Sequence, residues 1–167
     1  MGEALLAREA RARRTPALVG SAGFVTGDRP AERHAIAVMA DRGVDITAHR
    51  SRVVGPELLE AADLVLGMAR EHVREAVVAY RPAAYRTFTL KELVRRGTAA
   101  GRPPGDLDAW LRALDEDRDP RGLLGSDAED DVADPMGRSR RRFAACADEI
   151  EANIIRLADL LWPGDVA

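Results

Sequence analysis

The side chains that most readily carry chemistry are few in this chain. There is one cysteine, Cys146, and three histidines, His34, His49 and His72. Cys146 falls in the series Phe143, Cys146, Ile150, Ile154, Leu157 and Leu161, which recurs at three- and four-residue steps and so forms one buried helical face. A reactive thiolate needs a neighbouring cation or a helix N-terminus to lower its pKa, and a mid-helix position on an apolar stripe offers neither. Cys146 therefore reads as a buried structural residue. The histidines have no metal-ligand spacing among themselves or with Cys146. Asp115-x-Asp117-x-Asp119 starts like a calcium loop, but Pro120 stands where the turn needs glycine and Ser126 where the bidentate glutamate belongs. It reads as a solvated acidic loop.

The stretch Asp131-Val132-Ala133-Asp134-Pro135-Met136-Gly137-Arg138-Ser139 is the most informative. Asp134 before Pro135 is a helix-start pattern, with aspartate as cap and proline as first helical residue. A carboxyl group held at a loop–helix junction is equally suited to general acid catalysis. The local pattern leaves both readings open.

The elements that must position these residues alternate. Residues 3–13 predict a helix, stopped at Thr15-Pro16. Residues 17–22 form a short apolar run that predicts a buried strand. After a loop over 23–29, Pro30 is expected to open a helix whose apolar stripe is Ile36, Met39 and Ala40 and whose end is Gly43. A short helix follows Gly55-Pro56-Glu57, then a buried strand over 63–68 and a helix over 70–80. A third short strand is expected at 87–90 with a helix over 91–96, and the last helix runs from about 137 to 161. Residues 97–130, with Gly101-Arg102-Pro103-Pro104-Gly105 and an acidic tract, read as a mobile insertion carrying one helix near Trp110-Leu111. Strands alternating with helices predict an α/β fold, a parallel sheet with helices on both faces. Its ligand site is expected beyond the carboxyl ends of the strands.

Length and composition fit one soluble domain over residues 1–167. Of the 167 residues 46% are hydrophobic and 32% charged. Lys+Arg number 25 against 28 Asp+Glu, a formal net charge of −3, which gives no electrostatic case for nucleic acid. No signal-peptide pattern or apolar run of membrane-spanning length is present, so the expected location is the cytoplasm, with no membrane partner.

Five segments, in order, resemble the low-molecular-weight protein tyrosine phosphatases of bacterial type. They are Gly2-Glu3-Ala4-Leu5-Leu6, Ser21-Ala22-Gly23 followed by Arg29-Pro30-Ala31, the stretch Arg42-Gly43-Val44-Asp45-Ile46-x-x-His49-Arg50-Ser51-Arg52, then Ala62-Asp63-Leu64-Val65-Leu66-Gly67-Met68, and Asp131-x-x-Asp134-Pro135. The resemblance covers the chain apart from about 97–130. It implies a flavodoxin-like sheet in the order 2-1-3-4 and hydrolysis of a phosphoprotein, as phosphotyrosine, through a cysteinyl-phosphate, without cofactor or metal. It implies that Asp134 is the general acid and that His49 braces the phosphate loop. Substrates would be a phosphorylated protein or a small phosphomonoester; nothing bears on oligomeric state.

The family's phosphate loop, Cys-x5-Arg-Ser/Thr, precedes its first helix, and Met1 aligns just after it. Cys146 is not that cysteine, because position 152 is Ala152. The first, central strand and the nucleophile are thus expected to be missing from this chain, leaving it inactive as it stands, with an in-frame upstream segment expected to encode them. Met136 stands where the family often has an aromatic wall, and Ala69 where a polar residue is common. Two other classes stay open: an arsenate reductase-like relative, for which Cys146 alone is a poor resolving thiol, and a non-catalytic pseudophosphatase that holds a partner.

Overall fold

The computed structural model describes residues 1–25, 27–101 and 105–162. In chain order the elements are α1 (Gly2–Ala12), α2 (Arg33–Ala40), α3 (Pro56–Ala61), β1 (Val65–Gly67), α4 (Arg70–Ala79), β2 (Thr87–Thr89), α5 (Leu90–Ala100), α6 (Leu107–Glu116) and α7 (Arg140–Leu161). They divide into two compact units, one made of Met1–Val53 with Ala133–Ala167, the other of Val54–Val132. No helix among the described residues is long and apolar enough to cross a membrane.

The first unit is built on α7. Its stripe of Phe143, Cys146, Ala147, Ile150, Ile154 and Leu157 is buried as the periodicity predicts, and α1 and α2 pack against it. Leu5 of α1 and Val38 and Met39 of α2 are the fully buried contributions from those helices. Charged side chains fasten the rims. Arg8 donates to Glu151 at 2.6 Å, Arg13 to Asp159 at 2.6 Å and Arg42 to Glu151 at 3.1 Å.

Three expectations fail in this unit. Pro30 does not open α2; it sits in an isolated antiparallel bridge with Arg50. Glu32 is the cap instead, its carboxylate accepting from the N–H groups of His34 and Ala35, while Gly43 at φ +69° ends the turn as expected. Residues 17–22 form no strand. Apolar content marks a segment for burial, but a strand also needs a hydrogen-bonding neighbour. The N–H groups of 18–22 make no main-chain hydrogen bond among the described residues, and Leu18 is 104% exposed. Finally, the last helix begins at Arg140, with Ser139 as its cap, not near Gly137. Gly137 has φ +71°, a left-handed conformation that interrupts helix and favours glycine.

The second unit holds a parallel pair, β1 with β2, in the register Val65↔Thr87, Leu66↔Phe88 and Gly67↔Thr89. A parallel pair needs a crossover, and α4 supplies it, packing on both strands. The α/β reading therefore holds. Gly67 permits the close approach of α4, since a Cβ there would meet Ala69 O at 3.1 Å and Val73 Cγ2 at 3.1 Å. The Thr89 hydroxyl caps α5 by accepting from Glu92 N at 3.0 Å. The one helix expected within 97–130 is α6, which packs on α5 and on the 3-10 turn Arg81–Arg86. The chain beyond it is fastened through Arg118. That guanidinium donates to both carboxylate oxygens of buried Glu92, at 2.9 and 2.8 Å, and lies 4.4 Å over the Phe88 ring. The Gly101–Gly105 loop lies largely outside the described residues, as does Thr26 of the 23–29 loop.

Candidate active site

His49 and Asp134 both belong to the first unit and line separate clefts. His49 follows a turn pinned by buried Val44 and Ile46, its N–H donating to Ile46 O at 3.1 Å. Its Nδ1 lies 3.6 Å from Glu3 Oε2, an ion pair when the imidazole is protonated. The Ser21 hydroxyl donates to the same carboxylate oxygen, and Arg52 Nε donates to Ser21 O at 2.7 Å. One carboxylate on α1 thus gathers side chains from two other parts of the sequence. The resulting cleft, about 410 Å³, is lined by Glu3, Val19, Gly20, Ser21, His49, Arg50 and Arg52. Residue types alone did not single out Glu3 or Ser21, because ordinary surface residues carry no local signal of a partner 18 positions away.

Asp134 does not cap a helix. Its Oδ1 accepts from Met136 N at 2.9 Å, a side-chain turn of the kind short polar residues make with the backbone two positions on. Pro135 O then accepts from Arg138 N at 2.9 Å, and the left-handed Gly137 leads into Ser139 and α7. The helix-start pattern misled because Asp-Pro is also a turn pattern. Asp134 is exposed, and its Oδ2 has no hydrogen-bond partner among the described residues. It stands at a cleft of about 440 Å³ whose other walls are Ala133, Pro135, Arg138, Arg142, Ala145, Cys146 and Glu149. Cys146 is buried, and burial pushes its thiol pKa up, with the carboxylates of Glu149 and Asp134 adding to the shift. A thiol so held is not a thiolate nucleophile at neutral pH.

The segment that leads toward Asp134 is fixed within the second unit. Asp130 is 5% exposed and is gripped from two helices, by Arg70 Nη2 at 2.7 Å and Arg95 Nη2 at 2.8 Å. Burial opposes its charge, but the hydrogen bonds from Arg95 and Arg70 outweigh it and hold the carboxyl below its ordinary range. Asp131 accepts from Arg70 N at 2.8 Å, so it caps α4 from across the fold, where Ala69 offers no side chain to do so. Lys91 Nζ donates to the carbonyls of Ala128 and Asp131, at 2.5 and 3.1 Å. Val132 N donates to Met68 O at 2.7 Å. The acidic end of the supposedly mobile insertion is thus tied down. Sequence reading missed the clamp because its partners lie 35 to 61 positions apart.

No group of three or more His, Cys, Asp or Glu side chains among the described residues could hold a metal ion. What the Asp134 cleft offers is one exposed carboxyl group, a second carboxylate from Glu149, and two arginines, Arg138 and Arg142. That combination can exchange a proton and attract an anion.

Comparison with known proteins bears on the family. The profile of the low molecular weight phosphotyrosine protein phosphatases matches residues 1–101. A protein-arginine-phosphatase of Geobacillus stearothermophilus is 30% identical over 144 residues, covering 86% of this chain and 76% of the relative. One from Bacillus subtilis (strain 168) is 32% identical over 121 residues, covering 70% and 79%. The crystal structure of a low molecular weight protein tyrosine phosphatase from T. tengcongensis superposes with a TM-score of 0.72 at 28% identity, covering 96% of this chain and 88% of that one. This chain belongs to the low molecular weight phosphotyrosine protein phosphatase family.

Proposed function

We propose that this chain supplies the general acid and the phosphate-loop support of a protein phosphatase that works through a cysteinyl-phosphate. In that reaction a thiolate sulfur attacks phosphorus and the bond from phosphorus to the leaving group breaks. The Asp134 carboxyl group donates its proton to the departing atom. The resulting carboxylate then takes a proton from water as its oxygen attacks the phosphocysteine, which releases phosphate and restores the thiolate. The observation that carries this reading is the state of Asp134: one oxygen satisfies a turn, and the other, at an open cleft, has no hydrogen-bond partner among the described residues. His49, Glu3 and Ser21 support the phosphate loop from their own cleft.

On this reading the nucleophile is not Cys146, which is buried and has Ala152 six positions on instead of arginine. The buried, raised-pKa thiol also weighs against an arsenate reductase, which needs an accessible resolving cysteine. Phosphotyrosine is the substrate that the family's description suggests. Phosphoarginine is a second reading, favoured by the arginine phosphatases among the relatives and by exposed Met136 in place of an aromatic wall.

The test compares the 167-residue chain with a form translated from the in-frame coding sequence upstream of Met1. The form that carries a Cys-x5-Arg loop is expected to hydrolyse p-nitrophenyl phosphate without metal, and the 167-residue chain is not. Asp134→Asn in the active form should lower the rate on phenyl phosphate by ~10²–10⁴-fold and less on p-nitrophenyl phosphate, whose leaving group needs less protonation. Metal-independent turnover by the 167-residue chain that survives Cys146→Ala would overturn the mechanism. Phosphotyrosyl and phosphoarginyl peptides assayed side by side assign the substrate.

A further inference from the structure

The cleft beside Asp134 carries more positive charge than acid catalysis requires. Arg138 and Arg142 both line it, both are exposed, and neither is ion-paired among the described residues. Some arginines of this unit are used differently. Arg8, Arg13 and Arg42 each meet a carboxylate, and so does Arg140, with Asp41 at 2.6 Å. Arg138 and Arg142 stand on either side of the start of α7, Arg138 in the bend before Ser139 and Arg142 in the first turn. Their guanidinium groups therefore flank the same opening that Asp134 faces. The two arginines share the cleft lining with two carboxylates, Asp134 and Glu149, so the lining carries both signs. Planar guanidinium forks match carboxylates bidentately.

We infer that Arg138 and Arg142 bind acidic side chains next to the phosphorylated residue of a protein substrate, so that this enzyme selects phosphorylation sites flanked by Asp or Glu. The inference rests on the reading of Asp134 as the general acid, which places the leaving group at the mouth of this cleft. A polypeptide whose modified side chain reaches Asp134 must run its neighbouring residues over the cleft walls, where Arg138 and Arg142 are. Met136, two residues after Asp134, is 62% exposed and has no aromatic ring to grip a leaving group. Recognition by flanking charge would supply the discrimination that an aromatic wall does not. The cleft also carries carboxylates, Asp134 and Glu149, which disfavour a continuous polyanion such as a nucleic acid backbone and suit discrete acidic side chains.

The test is a binding measurement on the 167-residue chain and needs no turnover. A fluorescein-labelled octapeptide with Asp and Glu on both sides of a central, unphosphorylated tyrosine is titrated at low and at physiological ionic strength, alongside the same peptide with Lys at those positions. The acidic peptide should bind, more weakly as salt rises, and the lysine peptide should not. Arg138→Gln/Arg142→Gln should weaken binding by roughly five- to tenfold, the effect of losing two partly exposed charge pairs. Arg11→Gln/Arg156→Gln makes the same change in net charge elsewhere and should leave binding unchanged. Asp134→Asn should bind as well or better, because it removes a negative charge from the cleft. Equal binding by the Arg138→Gln/Arg142→Gln protein would overturn the inference. So would equally tight capture of a single-stranded oligonucleotide or of vesicles containing anionic lipid. A failure of Asp134 as the acid shows in the leaving-group assay alone, so the two readings fail separately.

Discussion

Two aspartates three positions apart do different work. Asp134 touches only its own turn, so its replacement tests chemistry. Asp131 touches the N-terminus of α4, so its replacement tests stability. Asp131→Ala is expected to lower the unfolding free energy by about 1 kcal/mol, the usual cost of a lost cap, measured by urea titration. Asp131→Asn should recover most of it. Asp134→Asn should leave the same titration nearly unchanged, because an asparagine oxygen can still accept from Met136 N. The two roles were only partly legible in the sequence. Asp131-x-x-Asp134-Pro135 marks the right place and leaves open a cap at Asp134 for the helix that follows, but that helix starts after Ser139, and the aspartate that caps is Asp131, on α4. Local patterns report on helices that follow directly, and the helix that Asp131 caps lies 61 positions earlier.

At the scale of elements, what was legible followed from periodicity and punctuation. The extents of α1, α3 and α4 and the buried stripe of α7 were readable because apolar spacing, proline and glycine act over a few residues. The segment 17–22 was not, because its strand character depends on a neighbour. The fastening of residues 97–130 was not, because it rests on Arg118 reaching Glu92. That pair is buried on both sides, with side-chain exposures of 7% and 6%. Arg96 Nε also holds Glu92 Oε1, at 3.0 Å, so Arg118→Met removes one of two partners of a buried charge and is expected to cost about 1–3 kcal/mol. Joint replacement with Glu92→Leu should cost much less than the sum of the single changes, as a double-mutant cycle in urea would show. Gly67→Val is expected to destabilise by ~1–3 kcal/mol through overpacking against α4.

The described residues form one two-stranded sheet, and such a pair is marginal unless its edges and faces are covered. Residues 18–22 add exposed main-chain groups, with Leu18 exposed beside them. The purified 167-residue chain is therefore expected to associate as its concentration rises, seen in sedimentation velocity, and Leu18→Lys should reduce the effect. The acid limb of stability has a more local origin. Asp130 titrates below its unfolded value, so its contribution is present above the ordinary carboxylate range, near pH 4. It is lost as pH falls through the lowered native value. Asp130→Asn should melt at a lower temperature at neutral pH, with a flatter dependence of melting temperature on pH below about 4 than the parent chain.

Lys91 is the only lysine among the 167 residues, and it clasps the carbonyls of Ala128 and Asp131. Apart from the α-amino group, the chain therefore carries a single lysine target for acylating reagents, on α5 and bonded to the loop that leads to Asp134. An N-hydroxysuccinimide ester becomes a reporter of that loop without any engineered label. Intact-mass spectrometry counts the adducts, and peptide mapping separates Lys91 from the amino terminus. The rate of adduct growth at Lys91 then measures how often the clasp lets go.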